Sequence, residues 1–362
     1  MKLNPIFSDN MILQAKKPVY IFGNGSGSVT VDISGVTSTF NSSSDKWMVE
    51  LPAFDYGGPY EMTVNLDGEK KVLKNIYFGD VYLLSGQSNN QFKLRATNTP
   101  KEYYMDNSSL RLFTVDRLED QGKHILTDEG WKSVNKNGEF VSMDGEHYES
   151  TDGWVMAEKD EVEFWPALGY LLGNILTQDC DRKIGLIACY QGASVIQSWL
   201  PEGYLDETDL FVPIELRSNG ARNELYSGWN GDGMLYNGML SNIIPFALKA
   251  VLWYQGESNS NGQDSKTEIY SGILKMLIQK WRKDFNDDEL KFIIVQIHDY
   301  YVDLNREDSG WSNVQLAQEQ VCNTVDNTYL VKSADISETD DIHPVSKLPL
   351  AQRISEVVKS FS

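Results

Sequence analysis

The stretch Gly79-Asp80-Val81-Tyr82-Leu83-Leu84-Ser85-Gly86-Gln87-Ser88-Asn89-Asn90 runs four apolar residues into a glycine and a cluster of small polar side chains. A short apolar run without polar alternation reads as a strand buried on both faces, as in a parallel sheet. Three other runs share this texture: Ile184-Gly185-Leu186-Ile187-Ala188, Ala250-Val251-Leu252-Trp253-Tyr254 and Phe292-Ile293-Ile294-Val295-Gln296. Between them lie segments with helical spacing. Residues 166–176 carry apolar Leu168, Leu171, Leu172 and Ile175, and residues 269–281 carry Ile273, Leu277 and Ile278. Alternating strands and helices predict an α/β fold with a parallel sheet covered on both sides. Ligands in such folds bind beyond the carboxyl ends of the strands, so the residues that follow each run are where chemistry is expected.

Residues 19–75 have a different pattern. Alternating runs such as Val29-Thr30-Val31-Asp32-Ile33 and Tyr60-Glu61-Met62-Thr63-Val64 are separated by the turn clusters Gly23-Asn24-Gly25-Ser26-Gly27 and Gly57-Gly58-Pro59. The alternation predicts a small all-β sandwich over residues 1–75, followed by the α/β domain over 76–362. The glycine cluster lacks the Lys-Ser/Thr of a phosphate loop and the helix that should follow, which leaves a hairpin turn. Residues 201–233, polar and punctuated by glycine, read as a long loop over the face where the strands end.

Composition narrows the partners. With 52 acidic against 32 basic residues, the formal charge of −20 repels phosphate backbones and anionic headgroups, so neither nucleic acid nor a membrane surface is expected as a partner. No apolar run reaches the roughly 18 residues of a membrane span, and the start of the chain lacks the apolar core of a secretion signal. A soluble, cytoplasmic protein is the expectation. Cys180, Cys189 and Cys322 are odd in number and form no CxxC, and HExxH is absent. Neither a disulfide framework nor a metal site is expected, and no cofactor.

The second and third runs exit into Cys189-Tyr190-Gln191-Gly192-Ala193-Ser194 and Gln255-Gly256-Glu257-Ser258-Asn259. Glycine at a strand exit lets the backbone turn sharply and aim amide N–H groups at a ligand, as an oxyanion hole requires. Near the carboxyl terminus, Asp340-Asp341-Ile342-His343-Pro344 sets acids beside a histidine, the arrangement that orients an imidazole as general base toward a serine. Of the four histidines, His124 and His147 lie in charged, loop-like sequence. His298 ends a strand, where bordering the site and a structural role are both open. GxSxG is absent, which counts against an α/β-hydrolase elbow.

Taken in order, these segments resemble the sialate O-acetylesterase group of the SGNH hydrolase superfamily over almost the whole chain. Residues 5–14 (PIFSDNMILQ) and Gly57-Gly58-Pro59-Tyr60-Glu61 resemble that family's amino-terminal β-domain. Residues 79–89 resemble its nucleophile block, residues 185–192 with Trp199 the second, residues 253–259 the third, and Asp341-Ile342-His343-Pro344 with Lys347 the histidine block. Tyr236-Asn237-Gly238-Met239 is similar to a substrate-side segment. Asp80 and Asn90 depart from the family's usual Glu and Met, and Asn90 is expected to face the nucleophile region.

The resemblance implies a three-layer α/β/α esterase domain that removes O-acetyl groups from carbohydrates through an acetyl-enzyme. Ser88 would be the nucleophile, His343 the base, and the N–H groups of Ser88 and Gly192 with the Gln255 side chain the oxyanion hole. Asn89, Asn237, Glu257 and Trp229 would serve the substrate, with Glu257 alternatively a structural ion pair and Trp229 a sugar-stacking platform. The acid that orients His343 is either Asp340 or Asp341. An extended loop sets Asp341 on the imidazole's face, whereas a turn folds Asp340 back to it, and the turn-like approach Ile336-Ser337-Glu338-Thr339 favours Asp340. The expected partner is an acetylated sugar, either sialic acid or a xylo- or manno-oligosaccharide, with the net charge favouring the neutral ones. The oligomeric state is open. Alternatives are a carbohydrate-binding protein with a degenerate hydrolase domain, which should lack the serine or the histidine, and a lipid or thioester hydrolase, which should show an apolar acyl channel.

Overall fold

In the computed structural model, residues 1–117, 123–127, 130–134, 140–141, 153–223, 226–306 and 309–361 are described. The amino-terminal strands are β1 (Lys2–Leu3), β2 (Ile12–Gln14), β3 (Val19–Asn24), β4 (Gly27–Ile33), β5 (Val36–Ser42), β6 (Lys46–Leu51) and β7 (Gly57–Leu66). They pair as a three-stranded sheet, β1-β3-β6, and an antiparallel β5-β4-β7 array. Alternation has the expected effect: in β4, Val29, Val31 and Ile33 are buried while the residues between are not.

The expected break at residues 75/76 falls inside one strand. β8 (Glu69–Gly86) is 18 residues long. Its first half pairs antiparallel with β7, and its second half is the middle strand of a parallel sheet. At the crossover the carboxylate of Asp80, 3% exposed, accepts from Tyr56 Oη (3.0 Å) and Gln14 Nε2 (3.4 Å) and pairs with Arg182 (3.3 Å) and Lys249 (3.5 Å). Burial, with the Asp80 charge and its hydrogen bond acting in the same direction, pushes the Tyr56 phenol up to about 12. Asp80 therefore joins the amino-terminal strands to the segments that flank the parallel sheet.

Beyond β8 come α1 (Ser88–Gln91), β9 (Asn107–Thr114), β10 (Lys123–Thr127), β11 (Gly130–Val134), β12 (Phe140–Val141), β13 (Val155–Ala157), α2 (Ala167–Asp179) and β14 (Ile184–Tyr190). Then follow α3 (Asn219–Arg222), α4 (Met234–Gly238), β15 (Ala250–Tyr254), α5 (Thr267–Asp284), β16 (Lys291–Val295), α6 (Tyr301–Leu304), α7 (Trp311–Thr324), β17 (Thr328–Val331) and α8 (Leu348–Lys359). Through β8 the β5-β4-β7 array and β2 belong to one 11-stranded sheet with the row β13-β9-β14-β8-β15-β16-β17, and that row is parallel except at the β13 edge. β14 and β15 are buried along their whole length, as continuous apolar strands must be. In α5 the side chains of Tyr270, Ile273, Leu274, Leu277, Ile278 and Trp281 share one buried face, and each such aliphatic contributes about 1.5–3 kcal/mol. Trp199, Trp253 and Trp281 meet edge to face, with centroids 5.6–6.3 Å apart. Among the described residues no helix is long and apolar enough to cross a membrane.

The chain leaves β8 for β14 and β9 on one side and finds β15 on the other, so β8 is the topological switch point. The register sets Gly86 level with Tyr190 and Tyr254, and the three exit loops begin side by side at Gln87, Gln191 and Gln255. Gly86 has φ +124°, and a Cβ there would stand 2.1 Å from the carbonyl oxygen of Tyr254. Only glycine lets β8 and β15 close at this level. Gly86→Ala is therefore expected to destabilise the protein by about 2–6 kcal/mol in urea unfolding. A change below about 0.5 kcal/mol would contradict this packing.

Candidate active site

β8 ends and a helical turn begins at once. Gln87 is extended (φ −122°, ψ −156°), and its carbonyl accepts the N–H groups of Asn90 (2.9 Å) and Gln91 (3.2 Å). Ser88 is the first residue of α1, and its side chain is partly exposed while Asn89, Asn90 and Gln91 are buried. From the far end of the chain, His343 brings Nε2 to 2.8 Å from Ser88 Oγ. A serine hydroxyl so placed can donate to a neutral imidazole, the starting geometry for proton transfer. The ring of Phe92, four residues after Ser88 in sequence, stacks on the imidazole at 5.8 Å and 20°.

Asn89 ties this turn to two other loops. Its Nδ2 donates to Glu257 Oε1 (2.7 Å) and to the carbonyl of Ile342 (2.9 Å), while its Oδ1 accepts from Lys347 Nζ (2.7 Å). Two acceptors on one side and an ammonium on the other leave the amide a single satisfying orientation. Glu257 is 5% and Lys347 1% exposed, so each charge is out of water and separated from the other by a neutral amide. Burial raises the Glu257 carboxyl, opposed by the Asn89 hydrogen bond and the Lys347 charge. Burial pushes the Lys347 ammonium down to about 7, opposed by the charges of Glu257, Glu338 and Asp341. Glu257 thus holds a buried network beneath Ser88, with Asn89 between it and the histidine loop. Neither side chain faces outward for a ligand.

Gly192 stands beside the serine: a Cβ on it would be 3.8 Å from Ser88 Cβ. Its N–H donates to Gln91 Oε1 at 2.8 Å. Gln255 differs from the expectation. It is 0% exposed, its Nε2 donates to Ser194 O (3.1 Å) and Asn259 Oδ1 (2.7 Å), and its Oε1 accepts from Tyr270 (2.7 Å). Both amide protons are committed, so Gln255 braces the loop after Gly192 instead of aiming at an oxyanion. Asn90 also turns inward and donates to Ser85 O (2.8 Å) and Leu252 O (3.1 Å), across β8 and β15.

Trp229 is 7% exposed, lies 5.5 Å from the Tyr226 ring and donates Nε1–H to Gly192 O (3.1 Å). It buttresses the Gly192 loop, and its buried ring does not form an open platform. Asn237 is exposed on α4, next to Tyr236, whose hydroxyl donates to Asp284 at the last residue of α5 (2.7 Å). In a parallel crossover that end of the helix leads back to the start of the next strand, so Asn237 lies away from the strand exits. Asp340, the acid favoured by the turn argument, is exposed. The Asp341 carboxylate accepts the backbone N–H of His343 (2.8 Å), a local Asx bond that shapes the loop. Gln87, Gln91 and Phe92 went unmarked in the sequence, although their spacing from Ser88 along one turn is the signal that finds them. Gln87 Oε1 accepts from the N–H groups of Gly256 (3.3 Å) and Ser258 (3.2 Å). Among the described residues no group of three His, Cys, Asp or Glu side chains could hold a metal ion.

Comparison with known proteins gives the arrangement a context. Residues 78–358 match the family described as carbohydrate esterase, sialic acid-specific acetylesterase. The human sialate O-acetylesterase is 27% identical over 391 residues, spanning 96% of this chain and 68% of the relative, and the rat enzyme is 26% identical with coverage of 96% and 71%. A carbohydrate acetylesterase from Xanthomonas citri superposes with a TM-score of 0.79 at 23% identity, over 99% of this chain and 75% of that one. It shares the fold.

The buried network makes a prediction of sign. The Glu257 charge raises the Lys347 pKa against burial, so Glu257→Gln should move the Lys347 titration below about 7, followed by the lysine ¹³Cε shift. An upward movement would contradict the coupling.

Proposed function

Since the chain belongs to the carbohydrate esterase family of sialic acid-specific acetylesterases and is a carboxylic ester hydrolase, we propose that it removes O-acetyl groups from carbohydrates with Ser88 as nucleophile. The observation that carries this reading is the 2.8 Å contact between Ser88 Oγ and His343 Nε2 at the exit of the switch-point strand. The parallel core sheet supports an SGNH-type layering for residues 76–362, and the antiparallel strands of residues 1–75 support a β-sandwich partner to it.

In the first half-reaction His343 takes the Ser88 proton while Oγ bonds the acetyl carbonyl carbon. The oxyanion is met by the N–H of Ser88, at the start of α1, and by the N–H of Gly192, which Gln91 Oε1 releases when its side chain turns aside. Each such donor contributes about 10²–10³ in turnover. Collapse expels the sugar alkoxide, which takes the proton from His343, and water then repeats the sequence on the acetyl-enzyme. No step calls for a metal or an organic cofactor. The overall acidity of the protein favours neutral acetylated oligosaccharides over sialic acid.

Ser88→Ala should lower acetate release by about 10⁴-fold or more with folding intact. The panel for ¹H NMR is O-acetylated sialic acid and acetylated xylo- and manno-oligosaccharides, and near-parental activity of the variant would exclude Ser88 as nucleophile. The loop geometry separates the two acids. Asp341→Ala, which loses the bond to the His343 N–H, should reduce turnover by about 10- to 100-fold, while Asp340→Ala stays within about threefold. The reverse order would restore Asp340 as the orienting acid.

A further inference from the structure

Just beyond β16, His298 is buried (0% exposed). Its Nε2 lies 2.9 Å from the carbonyl oxygen of Asp341, two residues before His343. A carbonyl can only accept, so the proton of this bond belongs to His298 Nε2. The other ring nitrogen, Nδ1, is buried with no hydrogen-bond partner. Trp311 meets the ring edge to face at 6.2 Å and 85°, and its Nε1–H donates to the His298 carbonyl (2.7 Å), which fixes the residue from the α7 side. The next carbonyl along the loop, that of Ile342, is held by Asn89, and the N–H of His343 by the Asp341 carboxylate. Three consecutive residues of the histidine loop are thus each pinned by a side chain, and His298 supplies the only ring among the three.

We propose that His298 is a positioning residue for the esterase reaction: its Nε2–H fixes the Asp341 carbonyl and thereby sets the His343 imidazole in line with Ser88 Oγ. The inference rests on the reading of Ser88 and His343 as the reacting pair. A ring suits the task because it reaches from the rigid strand end with two rotatable bonds, where a longer amide would have more freedom to lose. Burial holds His298 below the ordinary histidine value, with the Lys347 ammonium acting in the same direction, and a neutral ring donates from one nitrogen only.

The test compares His298→Leu with His298→Gln, whose amide N–H can occupy the position of ring Nε2. His298→Leu should lower kcat on a small acetate ester by about 10- to 100-fold with KM changed by less than roughly threefold, and His298→Gln should recover most of the loss. Parental turnover in His298→Leu, or equal losses in the two variants, would overturn the assignment. Labelling by a fluorophosphonate separates the two readings. If the unaltered protein is labelled at Ser88 while His298→Leu turns over normally, only the role of His298 falls. If the unaltered protein is not labelled at Ser88, the reacting pair is wrong and the proposal goes with it. Should His298→Leu fail to fold, ¹H–¹⁵N correlation on the unaltered, histidine-labelled protein decides: a proton on His298 Nε2 supports the proposal, and one on Nδ1 overturns it.

Discussion

The side chain of Asn89 is the constraint on which the site depends. It lies one residue after Ser88 and makes three hydrogen bonds to two loops that are 168 and more residues away in sequence. A serine at a strand exit and a histidine near the end of the chain meet only if something measures the gap between them. A short amide with one possible orientation does so here. It also lets a buried carboxylate and a buried ammonium share a site without touching. Removing the amide would leave both charges buried and short of a partner, a larger penalty than an ordinary lost hydrogen bond.

The fold was legible where physics is local. Continuous apolar runs mark β8, β14, β15 and β16, because a strand covered on both faces has no room for polar alternation. The helical spacing around Leu171 and Leu277 marks α2 and α5 for the same reason. What the sequence conceals is the continuity of β8. A change from alternating to continuous apolarity reads as a change of domain, yet residues 69–86 are one strand whose first half sits in one sheet environment and whose second half sits in another. Asp80, at the change, is a polar residue in an apolar run that has four partners from other segments, and no local pattern announces them.

At the site, residue type was readable and direction was not. Ser88, Gly192 and His343 stand out because a strand exit, a glycine and an acid-flanked histidine carry chemical meaning wherever they point, and the structure brings them together. Gln255 and Trp229 carry such meaning only if their side chains face the substrate. Gln255 turns into the network of Ser194, Asn259 and Tyr270, and Trp229 turns onto the Gly192 carbonyl. Both support the loop that bears Gly192. Asp340 and Asp341 differ by one residue, and the course of the loop that carries them is held by bonds to Asn89 and His298 that lie outside the segment.

If Asn89 couples the Ser88 turn to the histidine loop, its loss and the loss of Lys347 must not be independent. A double-mutant cycle of Asn89→Ala and Lys347→Met, read as kcat/KM on one acetylated sugar, tests this directly. The account predicts that the double variant is less impaired than the product of the single losses by about 10-fold or more, a coupling of about 1.4 kcal/mol. Strictly multiplicative losses would contradict it.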